Sequence, residues 1–263
     1  MLFRYNMRFY LDQANRGRFI LNLLYAIIMT YYKHSICFSG SGYHYPWQVG
    51  VALYLQENYN LNECCFLGLA GGSYVATLLA LKLSIREYVF MWIKETYRDF
   101  KKRWLLSYFV CHSVIRRIHL KYLSQDDFLK ANGRLFISIT KFKCFLKNQV
   151  INQFRSNEDL VDAICTSSQI PFMLSPTFSY TFRGERCLDG GFSYNWMKLN
   201  DDTIMISPYQ WSRMRYFYAL TGFLHCSEKN FYYLVSKGYN DARANDYYFH
   251  RLPKKRRLIP SSS

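Results

Sequence analysis

Three short segments of the sequence carry residue types from which acyl-transfer chemistry is built. Ser39-Gly40-Ser41-Gly42 places two glycines in a four-residue run, and glycines let backbone N–H groups turn inward and approach a developing oxyanion closely. The same run fits an ordinary turn, or a phosphate cradle at the start of a helix. Cys64 to Leu67 is a short apolar run that ends in Gly68-Leu69-Ala70-Gly71-Gly72, with a further apolar segment behind it. Strand, sharp turn and buried helix is the layout of a nucleophile elbow, in which small residues at 68 and 72 make room for the turn. Ala70 stands at the apex and has no atom to acylate, so the segment also fits a tight strand–helix connection without chemistry. Asp189-Gly190-Gly191 follows the apolar pair Cys187-Leu188. An aspartate at a strand end can act as a general base, and Asp-Gly is also a common turn.

The elements around these segments alternate. Ser35–Phe38 reads as a buried strand that runs into a glycine turn, and Pro46–Leu55 as the helix after it. Cys64–Leu67 repeats the pattern, with Gly72–Leu83 as a mostly buried helix whose Val75, Leu78, Leu79 and Leu83 share a face. Strand, glycine turn and helix, repeated, favours a parallel sheet covered by helices. Residues 87–130 read as helices rich in Arg, Lys, Trp and Tyr. Leu135–Phe142 alternates as a strand, with Gln149–Phe154 as its expected hairpin partner. Ser156 and Asp159 form a capping-box-like start to a helix through about Ser168, which Pro171 stops. Thr181–Cys187 reads as a hairpin around Arg183-Gly184-Glu185, Thr203–Ser207 as a buried strand, and the chain from Tyr216 onward as helical.

Composition bounds the class. The 263 residues suffice for one large α/β domain, and a 50% hydrophobic content with 24 Tyr and 21 Phe excludes disorder as the main state. The net charge of +16, with basic runs at Lys101-Lys102-Arg103, Arg116-Arg117 and Lys254 to Arg257, suits an anionic surface. No nucleic-acid-binding motif accompanies the charge, and a nucleic-acid partner is not expected. The eight cysteines include no CxxC and no Cys/His cluster with zinc spacing, so neither a metal nor a disulfide framework is expected and a reducing compartment is. Residues 19–32 form an apolar stretch shorter than the ~20 residues a spanning helix needs. They are read as a helix packed on the domain or lying on a membrane, with a membrane anchor or a signal sequence as alternatives. The expected organisation is an N-terminal basic and apolar extension at 1–34, one domain over 35–250, and a basic disordered tail over 251–263.

Together the three segments are far more specific than each alone. The set resembles the patatin-like phospholipase family, in its adiponutrin/adipose triglyceride lipase branch. Phe38 to Tyr43, through Val49-Gly50, is similar to the oxyanion segment of that branch. Gly68 to Gly72 falls on its G-x-S-x-G elbow, and Asp189-Gly190-Gly191 on its Asp-Gly-Gly motif. Glu158 to Ala163, Ile170-Pro171-Phe172, Phe182 to Asn195 and Lys237 to Ala242 are also similar, so the resemblance covers about residues 35–245. It implies a three-layer α/β/α fold with a mainly parallel central sheet, a Ser/Asp dyad, no metal or other cofactor, and hydrolysis of acyl esters of phospholipids or glycerolipids.

Carried over residue by residue, the resemblance makes Asp189 the general base and Gly40, Ser41 and Gly42 the oxyanion loop. Ala70 then takes the nucleophile position where serine is expected. Two positions depart from the pattern. The third glycine of the family's G-x-G-x-x-G loop falls at Tyr45, and Ala70 replaces the nucleophile, a loss worth on the order of a million-fold in turnover. Ser73 lies on nearly the same helical face as Ala70 but off the elbow apex. His34 and His44, near the oxyanion segment, are read as structural. The resulting expectation is a lipid-binding homologue with impaired hydrolysis, cytoplasmic and associated with a membrane or lipid droplet. The alternative is an active lipase or phospholipase in which Ala70 is an engineered or erroneous replacement of serine.

Overall fold

The computed structural model describes residues 31–102, 111–143, 145–193, 198–211 and 227–255. In chain order the elements are β1 (His34–Phe38), α1 (Tyr45–Asn58), β2 (Cys64–Gly68), α2 (Gly71–Ala80), α3 (Ile85–Lys102), α4 (Cys111–Tyr122), α5 (Asp127–Ala131), β3 (Leu135–Phe142), β4 (Leu146–Ile151), α6 (Asn157–Ser167), β5 (Tyr180–Phe182), β6 (Glu185–Asp189), β7 (Ile204–Ile206), α7 (Pro208–Trp211) and α8 (Glu228–Ala244). The expected stretch 19–32 falls almost wholly outside the described residues. Among the described residues no helix is long and apolar enough to cross a membrane.

The centre of the sheet is parallel, in the order β7-β1-β2-β3. β1, β2 and β7 are short and largely apolar, as strands buried on two faces must be, whereas the longer β3 alternates and turns Ser138 and Thr140 to one face. Alternation divides them. Ile36, Phe38, Cys64, Phe66, Leu135, Ile137 and Ile139 join the large core shared with the helices, whereas Cys37, Cys65, Leu67 and Phe136 form a smaller core on the opposite face. The fold is thus α/β with a mostly parallel central sheet.

At β3 the sheet changes character, and this sets up the site. Ile137 pairs with Gly68 on β2 and with Ile151 on β4, and Ile139 pairs with Gln149 on β4 and with Asp189 on β6. Because β4 occupies one edge of β3 from Ile137 onward, β2 and β6 share the other edge in succession. β6 runs antiparallel to β3, so its last residue, Asp189, heads back toward the end of β2 at Gly68.

The helical layer is locked by α1 against α8. A Cβ at Gly50 would sit 2.0 Å from Val235 O, and one at Gly238 would sit 1.9 Å from Trp47 O, so the two helices touch backbone to backbone. Trp47 Nε1 donates to Asp241 Oδ2 at 2.7 Å across the same contact. Ser156 caps α6 as expected, accepting from Asp159 N at 3.2 Å.

Three boundaries differ from the sequence reading. The partner of β3 is Leu146–Ile151 rather than Gln149–Phe154, because Phe154 instead fills the core and its N–H donates to Asn132 Oδ1. Helix α2 stops at Ala80 rather than Leu83. Lys82 takes φ 57°, and Leu83 N bonds Leu78 O while Lys82 N bonds Leu79 O, the paired bonds of a Schellman end. Pro253 to Lys255, assigned from composition to the tail, are tied to the end of α1: Asn60 N donates to Pro253 O and Lys255 N to Asn58 O.

Candidate active site

The elbow forms where β2 hands over to α2. Ala70 is the cap residue of α2, with φ 47° and ψ −126°, a conformation that L side chains rarely adopt and that costs on the order of 1–3 kcal/mol. The turn needs the small residues on either side of it. A Cβ at Gly68 would lie 2.4 Å from Ser73 Cα, and one at Gly72 would lie 2.3 Å from Phe38 O, contacts that rigid backbone cannot relieve. Ala70 N–H donates to Ser167 Oγ at 3.0 Å, and the Ser167 hydroxyl donates onward to Ser138 O at 2.7 Å. The strained apex is therefore fastened to both α6 and β3.

The oxyanion-loop candidates lie against this apex. A Cβ at Gly40 would sit 3.7 Å from Ala70 Cβ, and one at Gly71 would sit 2.7 Å from Ser41 Oγ. Gly42 takes φ 49°, which a side chain would strain. Among the described residues the backbone N–H groups of Gly40, Ser41 and Gly42 donate no hydrogen bond. Gln48, fully buried on α1, holds the loop: Ser41 Oγ donates to Gln48 Oε1 at 2.9 Å, and Gln48 Nε2 donates to Ser39 O at 2.9 Å. Tyr45 stands in place of the third family glycine, and its Cβ lies beside Gly71, 3.1 Å from where a Cβ there would sit. Its ring packs with Tyr74, Trp92 and Phe231 at centroid distances of 6.1, 6.0 and 5.9 Å.

Asp189 ends β6 on the edge of β3 that β2 has just left. Its N–H donates to Gln169 O at 2.9 Å, and Thr140 Oγ1 donates to its carbonyl at 2.7 Å. Gly190 passes over β3 so closely that a Cβ would lie 2.3 Å from Ser138 O. Gly191 N–H donates to Asp189 Oδ1 at 2.7 Å, while Oδ2 is buried without a hydrogen-bond partner. Burial pushes the carboxyl pKa up to about 7, and the Gly191 bond offsets this only in part. One oxygen is held and the other is unengaged, in a group poised near neutrality.

Other candidate groups do not compete. Ser73 is fully buried and its hydroxyl donates to Ala70 O at 2.6 Å, so it closes the first turn of α2. Behind the elbow, Tyr74 Oη and Ser168 Oγ lie 2.7 Å apart and His112 Nε2 is 3.5 Å from Ser168 Oγ. That serine also bonds the Ile164 and Cys165 carbonyls, and burial lowers the His112 pKa to about 4. It is a buried structural network. His44 is buried beside the loop, with its pKa lowered by desolvation. Cys64 and Cys65 are buried, their thiol pKa values pushed up to about 12 by desolvation. Among the described residues no group of three His, Cys, Asp or Glu side chains is placed to hold a metal ion.

Sequence reading singles out Gly68–Gly72, Gly40–Gly42 and Asp189, and the fold brings all three segments to one end of the sheet. It misses Ser167, Ser138 and Gln48. The only signal for Ser167 is its place at the end of the helix that precedes the Pro171 turn, and Gln48 has none beyond being polar within an apolar helix.

A family model described as patatin-like phospholipase matches residues 36–197. The chain is 31% identical over 188 residues to patatin-like phospholipase domain-containing protein 2 of Mus musculus, covering 67% of this chain and 37% of the relative. It is 30% identical over 167 residues to an omega-hydroxyceramide transacylase of Mus musculus, covering 61% of this chain and 27% of the relative. It is 28% identical over 183 residues to 1-acylglycerol-3-phosphate O-acyltransferase Pnpla3 of Mus musculus, covering 67% of this chain and 44% of the relative. The chain therefore spans less than half the length of each of these relatives. A family model matched across more than half the chain, and three glycine-rich segments gathered at one sheet end, place this chain in the patatin-like phospholipase family of lipid hydrolases and acyltransferases.

Proposed function

We propose that the chain is a lipid-binding patatin-like domain that keeps the scaffold of a Ser/Asp acyl-transfer centre but lacks its nucleophile. The observation that carries this reading is the pairing of a strained apex at Ala70 with a buried, half-unengaged carboxyl at Asp189. Glycine would occupy the apex without strain, so retention of a Cβ there suits a site built to aim a side chain.

With serine at 70, the chemistry follows from the surroundings. The hydroxyl would attack an acyl carbonyl as Asp189 Oδ2 takes its proton, and the N–H groups of Gly40, Ser41 and Gly42 would receive the developing oxyanion. The C–O bond to the alcohol would break, the alcohol leaving with the proton from Asp189. Water would then release the acyl group as acid, and a second alcohol would receive it in a transacylase. With alanine at 70 only the oxyanion loop and substrate binding remain, which support at best about 10³–10⁴ over water. Ser73 cannot substitute, since its hydroxyl is committed to Ala70 O.

The substrate class this assigns is an acyl ester of a phospholipid or glycerolipid, met at an anionic membrane or a lipid-droplet surface on the cytoplasmic side. The test uses a water-soluble short-chain ester. The unmodified chain should show almost no hydrolysis, Ala70→Ser should restore it, and Asp189→Asn in that background should abolish it. Activity in the unmodified chain that is lost on Ser73→Ala would overturn the reading.

The second reading is an active acyl hydrolase with serine in the native chain and alanine as its replacement. The strained elbow favours it, because Ala70 holds a φ of 47° that a position with no side chain to aim would leave to glycine. The native codon at position 70 decides between the two.

A further inference from the structure

We propose that the β3–β4 hairpin is a docking tip for an anionic phospholipid surface, with Phe145 entering the interface and Lys141, Lys143 and Lys147 facing the lipid phosphates. The proposal names the partner surface for the lipid-acting reading above and rests on it.

The hairpin is built against its own electrostatics. Lys141 and Lys147 are direct cross-strand partners, and like charges placed opposite one another destabilise a pair of strands. Lys143 continues the same side two residues on. Glu185 relieves part of this, bridging to Lys141 and, at 2.6 Å, to Lys143. Lys147 has no carboxylate partner among the described residues. The three lysines, with Phe145, Asn148 and Gln149, line an open groove of about 530 Å³. One carboxylate for three lysines leaves the tip with net positive charge, which is what a layer of phosphates neutralises.

The apolar exposure of the hairpin is unaccounted for by folding. Phe145 is 85% exposed, and Leu146 and Val150 are 47% and 41% exposed. Phe145 stands with the lysines, whereas Leu146 and Val150 lie on the opposite face of the strand pair, so the cationic tip carries apolar exposure on both sides. Nucleic acid would also accept lysine and phenylalanine, but it stacks on aromatic rings and gains nothing from Leu146 and Val150. A headgroup layer over hydrocarbon uses both.

The position of the hairpin joins it to the site. Asn148 on β4 reaches Ser193 Oγ at 3.3 Å, and Phe192, just past Asp189-Gly190-Gly191, is 47% exposed. Phe142 contacts Phe178 and Phe178 contacts Phe172, itself 60% exposed, at ring centroid distances of 5.4 and 6.1 Å. An aromatic rim thus runs from the hairpin toward the end of the sheet that carries Asp189. A surface docked on the hairpin meets that end.

The experiment is co-sedimentation of the full chain with phosphatidylcholine vesicles and with mixed phosphatidylcholine/phosphatidylserine vesicles. The unmodified chain should prefer the mixed vesicles. Lys143→Gln/Lys147→Gln should lower that partition roughly tenfold or more, while Lys229→Gln on the exposed face of α8 should leave it unchanged. Circular dichroism and the melting midpoint check that each variant is folded. As a second readout, Phe145→Trp should gain a blue-shifted emission component on the mixed vesicles. Four results would each overturn the proposal: unchanged partition of the double lysine variant, an equal loss with Lys229→Gln, an unshifted emission from the Phe145→Trp variant, or tighter retention on single-stranded DNA than on the vesicles. Hydrolysis of a water-soluble ester by Ala70→Ser does not involve the hairpin. Its failure would count against the acyl-transfer scaffold, whereas failed vesicle binding counts against the docking tip.

Discussion

The backbone N–H of Ala70 donates to the side-chain oxygen of Ser167 at 3.0 Å, across 97 residues of sequence. This bond closes the elbow onto the helix that precedes the Asp189 strand. It also satisfies a buried backbone donor at the turn. Replacing Ser167 by alanine removes the acceptor for Ala70 N–H and the donor for Ser138 O. Both groups would stay buried and unpaired, so a destabilisation of about 1–3 kcal/mol is expected. A lower urea midpoint with an unchanged slope would match this, and an unchanged midpoint would mean that the elbow is held by the glycine contacts alone.

The strain at Ala70 gives an expectation of opposite sign. Ala70→Gly removes the Cβ from a conformation that only glycine adopts freely. Its cost in unfolded-chain entropy, about 0.5–1 kcal/mol, is smaller than the strain released. A net stabilisation of about 1 kcal/mol is expected by chemical denaturation. Ala70→Val, β-branched at the same φ, should destabilise by more than that.

Lys82 offers a second strained position, away from the site. It occupies the left-handed position after α2, where the paired Schellman bonds already form. Lys82→Gly should raise stability by about 1 kcal/mol without affecting ester hydrolysis in an Ala70→Ser background. A loss of stability would show that the lysine stem packs on the helix end.

How much of this is legible in the sequence depends on whether the cause is local. The β1 and β2 strands announce themselves as apolar runs cut off by glycine, since a buried parallel strand must be apolar on both faces. β4 does not, because it lies at the sheet edge and its Lys147-Asn148-Gln149 centre looks like loop. Phe154, which draws the expected strand too far, is a core residue in the connection to α6. The elbow, the glycine loop and Asp189 are readable because each needs glycine beside it. Ser167 and Gln48 are not, because each acts on backbone that only the fold brings near.

The carboxyl of Asp189 links stability and chemistry to pH. Its pKa stands near 7 in the folded chain, raised by burial from an ordinary value of 3.8, so the fold favours the protonated form. Below about pH 4 both folded and unfolded chains carry the proton, and burial costs nothing. As pH rises from about 4 to about 7 the unfolded chain releases the proton first, so stability falls across this window and then levels off. At about 1.4 kcal/mol per pH unit of separation the loss is on the order of 4–5 kcal/mol. Asp189→Asn keeps an acceptor for Gly191 N–H and cannot ionise. It should therefore be more stable than the unmodified chain at about pH 8, and the difference should vanish near pH 4. In the Ala70→Ser chain the same group must be ionised to take the serine proton, so kcat/KM should rise with pH through about 7. Thermal unfolding at the two pH values and a pH profile on a soluble ester measure the two effects separately. A stability difference that does not depend on pH, or a profile that is flat between about pH 5 and 8, would show that Asp189 is ionised throughout and is not held as a base in a dry site.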